Sequence, residues 1–488
     1  MKVVVGTSTG VDQQGRYFVH YPSRWTSTVD RNPFYFYPFE VGYASTLLKR
    51  DTHCDVKMID AGLQALDRHA YAQALEAEGP DVVVIESATR CFPDDLAVLQ
   101  RVKASTGCVV VLVGQHAAAF EEEARTIADH VIPGEYESAL LELIRALQDA
   151  HEPPGLPERR RFVEVDELSW PEDEDVSRLD YVGPLPGHRY RQIHMYASRG
   201  CPMRCDYCVA VHVYYESPNW RRRDPDDVLA EMVHLEHKYR GRFDGFFFDE
   251  EVHFLNKRFI LELCEKMIAA DLGHLRHTAM GTYFSLDEEM LTAMHAAGYR
   301  QLKLGIETAS ANIAEQMGLG KKHDLDKLRE VLRIARDLGL ESYGNFVVGA
   351  NGSSYAADME TAGLVRELLS EGLLHEMQVS ICTPQPGTPF FTWCTENGYL
   401  MPVDWSAFDG LLGSVVSYPH YTKAQIEEVF CTINDIGHHV RGMRDLRTEG
   451  VLPTVRRAVE RVGLRGLLGH LRRYYASPWQ RRLRQKAT

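Results

Sequence analysis

The chain has 488 residues, 44% of them hydrophobic and 25% charged, which provides two or three domains with their own cores and excludes a disordered polymer. A formal net charge of −15 excludes a protein whose whole surface meets nucleic acid, since phosphate contacts need a positive face. Ten cysteines without regular pairing, no secretory leader, and no apolar run near the roughly 20 residues of a membrane span point to a soluble cytoplasmic protein.

In chain order, apolar runs at 2–5, 82–85 and 109–113 read as short buried strands, separated by helical stretches at 44–49, 71–78 and 94–104. This alternation predicts an N-terminal α/β domain over 1–148, a doubly wound parallel sheet of Rossmann type. Residues 149–188 are rich in proline and charge and read as a linker draped over the surface. A second alternation follows within 189–398. Strands are expected at 191–198, 245–251, 275–284, 301–308, 341–349 and 376–384, with helices at 226–239, 257–270, 287–297, 324–338 and 355–371. Asp224-Pro225 is a helix opening, and Gly298 and Gly339 follow two helix ends. Six such units predict a partial (β/α)6 barrel with its chemistry at the strand C-termini. Residues 399–488 read as a helical region whose charge is inverted: from Arg441 onward 13 Lys and Arg face 3 Asp and Glu. Apolar spacing at 455–464 and 467–471 among arginines makes basic amphipathic helices there. These suit an anionic surface or simple packing on their own domain.

The most informative motif is Cys201-x₃-Cys205-x₂-Cys208. Three thiolates at this spacing hold an iron–sulfur cube and leave one iron for a substrate or cofactor. The alternative is zinc, with His212 completing a Cys₃His set, but zinc sites usually build from two separated ligand pairs. The other seven cysteines are scattered through apolar or helical stretches and read as small buried hydrophobes.

The array, with the strand series behind it, resembles the radical S-adenosylmethionine (SAM) superfamily over residues 191–390. That resemblance implies a 4Fe-4S cluster on Cys201, Cys205 and Cys208, with SAM bound at the open iron and cleaved to a 5′-deoxyadenosyl radical. It further implies SAM contacts at Tyr207, at Asp249 and Glu250 where the family often has Gly-Gly-Glu-Pro, and at Glu307, Val348 and Thr383. A carboxylate beside the SAM ammonium suits either Asp249 or Glu250. The segment 383–389 resembles that of methylthiotransferases and of the cobalamin-dependent branch.

The N-terminal domain is similar to the cobalamin-binding domain of that branch. Ser87, Thr89, Gly114, Gln115, His116, Gly134 and Glu135 then stand at the sheet edge that would hold the cofactor. Gln115 occupies a position where the family often has a second glycine, and no Asp-x-His-x-x-Gly sequence supplies a cobalt-ligating histidine. His116 reads as a surface-loop residue or as a cofactor neighbour. A degenerate domain that only supports the barrel is the remaining alternative.

The implied activity is C-methylation of an unactivated carbon in a specialised metabolite or peptide precursor, through methylcobalamin and a substrate radical. Implied partners are a small-molecule or peptide substrate and an external flavodoxin- or ferredoxin-type electron donor, with no nucleic acid. Rival readings are a cobalamin-dependent cyclase or rearrangement enzyme, a methylthiotransferase, and a non-catalytic iron–sulfur sensor. Residues 17–43 and 213–215, rich in aromatics, are candidates to line a substrate pocket.

Overall fold

In a computed structural model of the chain, which describes residues 1–21, 25–31, 33–149, 162–183, 185–215, 219–320, 323–452, 455, 456 and 459, two parallel sheets carry the architecture. The N-terminal part holds β1 (Lys2–Thr7), an antiparallel hairpin of β2 (Tyr17–Tyr21) and β3 (Trp25–Val29), then β4 (Asp55–Ile59), β5 (Val82–Glu86), β6 (Val109–Val113) and β7 (His130–Ile132). The sheet order is β4-β1-β5-β6-β7, all parallel. Its β-branched strands are buried on both faces. Val3, Val5, Val82, Val84, Val111 and Val113 pack into one core, and Val4, Val83, Ile85, Val110 and Leu112 into the other. The order reverses between β1 and β5, so a ligand crevice opens at their C-terminal ends.

The second part holds β8 (Gln192–Met195), β9 (Ser198–Cys201), β10 (Asn219–Arg222), β11 (Gly245–Phe248), β12 (His277–Gly281), β13 (Tyr299–Glu307), β14 (Glu341–Val348) and β15 (Glu376–Ile381). Six of them pair in parallel in the order β15-β14-β13-β12-β11-β8, the expected partial barrel. Side chains alternate along each strand. Ile193, Phe246, Phe248, Leu302, Leu304, Phe346 and Val348 join the core under the helices, which leaves His194, Phe247, Lys303, Glu307, Tyr343 and Asn345 on the inner face.

The expected strand 191–198 is two elements. β8 stops at Met195, and β9 turns away to pair with β10, Gly200 opposite Trp220. Gly200 has φ +84°, and a Cβ there would stand 2.0 Å from the Asn219 carbonyl oxygen, so only glycine lets the first cysteine strand close on its partner.

The described part of the proline-rich stretch is not draped over the surface. Val163, Val165, Val176, Leu179 and Tyr181 are buried, and Arg178 lies fully buried between Glu172 (3.1 Å) and Glu231 (2.8 Å). The Tyr181 hydroxyl donates to Asp60 and the Tyr37 hydroxyl to the Pro171 carbonyl, so the segment wedges between the sheets. Residues 150–161 lie outside the described residues.

Helix Lys423–Glu449, opened by a Thr422–Gln425 capping box, packs against helix Tyr355–Ser370 and β15. The amphipathic stretches expected at 455–464 and 467–471 lie almost wholly outside the described residues. Among the described residues no helix is long and apolar enough to cross a membrane.

Candidate active site

Cys201 ends β9 and is buried, while Cys205 and Cys208 are half-buried in the loop that follows. The three cysteines belong to one apolar cluster with Met203, Val211, Val252, Leu255 and Phe284. The loop is held by backbone bonds from Asp206 N–H to the Met317 carbonyl (2.9 Å) and from Cys208 N–H to the Cys205 carbonyl (3.0 Å). The turn after the helix Ala311–Gln316 crowds against it: Gly320 has φ +63°, and a Cβ there would stand 3.1 Å from the Arg204 nitrogen.

His212 Nε2 contacts the Cys205 carbonyl oxygen at 3.0 Å, so the ring meets the backbone of the cysteine loop. Among the described residues no three His, Cys, Asp or Glu side chains converge as a single ion requires. A cube spreads its thiolates over separate irons, so an apolar pocket with three cysteines spaced along one loop fits a cluster better than zinc.

The barrel places the other SAM candidates along one edge, at the C-terminal ends of β11, β13, β14 and β15. Asp249 follows β11 and accepts a hydrogen bond from the Tyr21 hydroxyl, which comes from the hairpin of the other domain. Glu250 turns the opposite way. It accepts from Ala197 N–H (3.3 Å) and bonds His253 Nδ1 (2.6 Å), whose Nε2 meets the Tyr299 hydroxyl (2.8 Å), all fully buried. Of the two carboxylates, Asp249 is the one at the domain junction, and Glu250 anchors the approach to β9. Glu307 has φ +68°, a left-handed conformation uncommon outside glycine, at a register shift between β13 and β14. Tyr207 packs on the barrel core, and burial holds its hydroxyl well above the usual range. Val348 directs its side chain under the helices, so only its backbone faces the strand ends, and Thr383 Oγ1 donates to the Ile381 carbonyl (3.2 Å).

At the N-terminal sheet a small cleft of about 50 Å³ opens at the β1/β5 reversal, lined among others by Ser8, Tyr21, Trp25, Glu86, Ser87 and Gln115. Its hydroxyls are organised by buried Asp95, which accepts from Ser8 Oγ (2.7 Å), Ser87 Oγ (2.7 Å), and Thr9 N–H and Oγ1 (2.9 and 2.8 Å). Burial raises the Asp95 carboxyl to about 6. Gly114 has φ +96°, and a Cβ there would stand 2.8 Å from the Ser87 carbonyl oxygen, so this glycine keeps the two loops in contact. Gln115 Nε2 donates to Gln385 Oε1 (2.9 Å) across the domain junction, and Thr89 Oγ1 is buried with no hydrogen-bond partner. The edge thus presents hydroxyls and amides that a polar cofactor could hydrogen-bond.

Two of the residues expected at that edge are used elsewhere. His116 is neither a surface-loop residue nor a cleft residue. It is fully buried among Phe92, Phe120 and Trp405 at ring-centroid distances of 4.1–5.0 Å, and burial lowers its pKa to about 3, so it stays neutral. Glu135, beside Gly134 (φ +73°), pairs with Arg199 (3.2 Å) and Arg221 (2.7 Å) and accepts from Val163 N–H (3.1 Å).

Sequence reasoning missed Glu86, which ends the apolar run of β5, and an acid closing such a run at a crevice was the available signal. Its two oxygens accept from the Tyr136 hydroxyl (2.9 Å) and the Tyr214 hydroxyl (3.0 Å). Burial, and then the nearby Glu40 carboxylate, raises its carboxyl to about 8. The native state therefore holds a proton there that the unfolded chain releases near pH 4.5, so folding stability falls as pH rises from about 4.5 to about 8. Glu86→Gln removes this dependence. The gap in thermal midpoint between variant and wild type is expected to move in the variant's favour across that window, and a pH-independent gap would contradict the assignment.

Residues 195–364 match the Radical SAM superfamily model, so the chain carries a radical SAM domain. An uncharacterized methyltransferase of Pyrococcus horikoshii is 25% identical over 80% of this chain and 85% of its own length. An anaerobic magnesium-protoporphyrin IX monomethyl ester cyclase of Cereibacter sphaeroides is 26% identical over 72% of this chain and 60% of its own. Among solved structures, the radical SAM methyltransferase TsrM of Kitasatospora setae, with cobalamin and a [4Fe-4S] cluster bound, superposes with a TM-score of 0.62 at 16% identity over 83% of this chain and 80% of that one. The two-sheet fold is therefore shared with that structure.

Proposed function

We propose that this chain is a cobalamin-dependent radical SAM methyltransferase that methylates an unactivated carbon of a specialised metabolite or peptide precursor. The observation that carries this reading is the meeting of the two strand-end edges. The cleft of the first sheet and the cysteine-bearing edge of the second are joined by Gln115–Gln385, Glu86–Tyr214 and Tyr21–Asp249. In this reading 1–148 holds cobalamin, 149–188 connects, 189–398 holds SAM and the cluster, and 399–488 follows as the C-terminal region.

When bound, the cluster supplies the electron that cleaves SAM and cobalamin supplies a methyl carrier. The chain's own residues do the rest. Cys201, Cys205 and Cys208 ligate the cluster in a pocket whose apolar walls exclude water. Asp249 and Glu307 meet the SAM ammonium and polar groups, while Tyr207, the Val348 backbone and Thr383 bound its adenosine. Ser87, Thr89, Gly114, Gln115 and Gly134 form the cobalamin edge. The electron donor is an external flavodoxin- or ferredoxin-type protein, the compartment is the cytoplasm, and the basic segment from Arg441 meets an anionic surface.

The rival is a cyclase or rearrangement enzyme, favoured by the likeness to the protoporphyrin monomethyl ester cyclase. Incubation with trideuteromethyl-SAM and a metabolite extract separates the two. A product carrying the intact trideuteromethyl group is expected. Formation of 5′-deoxyadenosine alongside products that only lose hydrogen would overturn methylation.

A further inference from the structure

Tyr21 belongs to two places at once. It sits in β2 and lines the cleft at the first sheet's edge, where its ring packs on Phe36 (centroids 4.3 Å apart) and stacks on Trp25 (5.5 Å). Its hydroxyl reaches the other domain, donating to Asp249 at the end of β11 and standing 3.8 Å from Met280 Sδ on β12. The hairpin that carries it is tied to the cleft floor, since His20 contacts the Thr9 carbonyl (3.1 Å) through Nε2 and Thr26 Oγ1 (3.1 Å) through Nδ1. Val19, Tyr21 and Phe36 form one apolar cluster with Phe247 on the inner face of the barrel. Any group that fills the cleft therefore presses on the element that holds the Asp249 carboxylate.

We propose that Tyr21 is a positioning residue that couples the cobalamin cleft to the SAM site by orienting Asp249 toward the SAM ammonium. The inference rests on the reading of Asp249 as a SAM contact. A carboxylate offers about four lone-pair sites, so Asp249 accepts the phenol and the ammonium together. A charge-assisted bond from the phenol fixes the carboxylate plane before SAM arrives. His194 Nδ1 stands 3.8 Å from the same carboxylate, and burial followed by the Lys303 charge lowers its pKa to about 3, so the imidazole stays neutral beside Asp249. Cobalamin settling against β2 and β3 restrains the hairpin and with it Asp249, and by linkage SAM bound at Asp249 restrains the hairpin in return.

The test is calorimetric titration of SAM into the cluster-loaded enzyme, with and without hydroxocobalamin, for wild type, Tyr21→Phe and Asp249→Asn. Wild type is expected to bind SAM about five-fold more tightly when hydroxocobalamin is present. Tyr21→Phe, which removes one oxygen and keeps the ring packing, is expected to bind SAM about ten-fold more weakly and to show the same affinity with and without hydroxocobalamin. A general loss of structure would not erase the ratio while sparing hydroxocobalamin binding. Unchanged affinity and ratio in Tyr21→Phe, with Asp249→Asn weakened, would overturn the coupling alone, whereas unchanged affinity in Asp249→Asn would overturn the reading beneath it. In wild type, amide exchange in β2 and β3 is expected to slow when SAM is added, and unchanged exchange with SAM bound would also overturn the coupling.

Discussion

Alanine at any one of Cys201, Cys205 or Cys208 is expected to abolish both the brown charge-transfer absorbance of the anaerobic protein and its reductive cleavage of SAM, with turnover falling below detection. In the proposed site each thiolate would hold a separate iron, and a cube with two protein ligands would lose its anchorage beside Met203, Val211, Val252 and Phe284. Fold loss does not explain such a result if the variants keep the secondary-structure spectrum of wild type, because the loop is held independently by Asp206 N–H on the Met317 carbonyl and by the tight turn at Gly320. The control is His212→Ala. With its ring bonded to the Cys205 carbonyl, this variant is expected to retain the cluster, whereas a zinc site of Cys₃His type would be lost. Full turnover in any of the three cysteine variants would remove that residue from the ligand set.

Arg199→Met is expected to destabilise the protein by about 3–5 kcal/mol, the usual cost of removing one member of a buried ion pair. Arg199 is buried on β9 between Glu135 (3.2 Å) and Glu137, both carboxylates are themselves almost wholly buried, and the guanidinium also lies 4.9 Å from the Tyr43 ring. Without it, Glu137 is left without this partner, while Glu135 keeps Arg221 (2.7 Å). The midpoint of chemical denaturation should fall accordingly, and the double variant Arg199→Met with Glu137→Leu should recover a large part of the loss, because an apolar pair of similar volume avoids the desolvation cost. A single variant with an unchanged midpoint would show that this junction does not hold the two sheets together.

The regular part of the architecture was legible because its signals are local. Valine runs marked β1, β5 and β6, and the helices from Pro225, Lys257, Leu325 and Tyr355 began within about two residues of their expected starts. β4 and β7 were not read because Asp55–Ile59 mixes charge with apolar residues and His130–Ile132 is only three residues long. The hairpin Tyr17–Val29 is not marked in the sequence, since polar residues such as His20 and Thr26 interrupt its apolar alternation. In the candidate site, the cysteine array and the strand ends were readable from spacing. Which of Asp249 and Glu250 faces the domain junction was not, because that depends on Tyr21, 228 residues away in sequence. The partners of His116 and Glu135 at the sheet edge could not be foreseen, since Trp405 and Arg199 come from another part of the chain. The wedge around Arg178 escaped for the same reason: its carboxylate partner Glu231 lies on a helix more than fifty residues on.

The helix after Cys208 is wound as a π-turn over Ala210–Tyr214, closed by the bond from Tyr215 N–H to the Ala210 carbonyl (2.8 Å). Such a turn holds one residue more than an α-turn, so it acts as a rotational spacer: deleting that residue would swing everything after it by about 100°. Tyr214 would then leave Glu86 while the three thiols, which precede the turn, kept their spacing. The spacing of the three thiols and the place of Tyr214 against Glu86 are thus adjustable separately, by a single insertion or deletion.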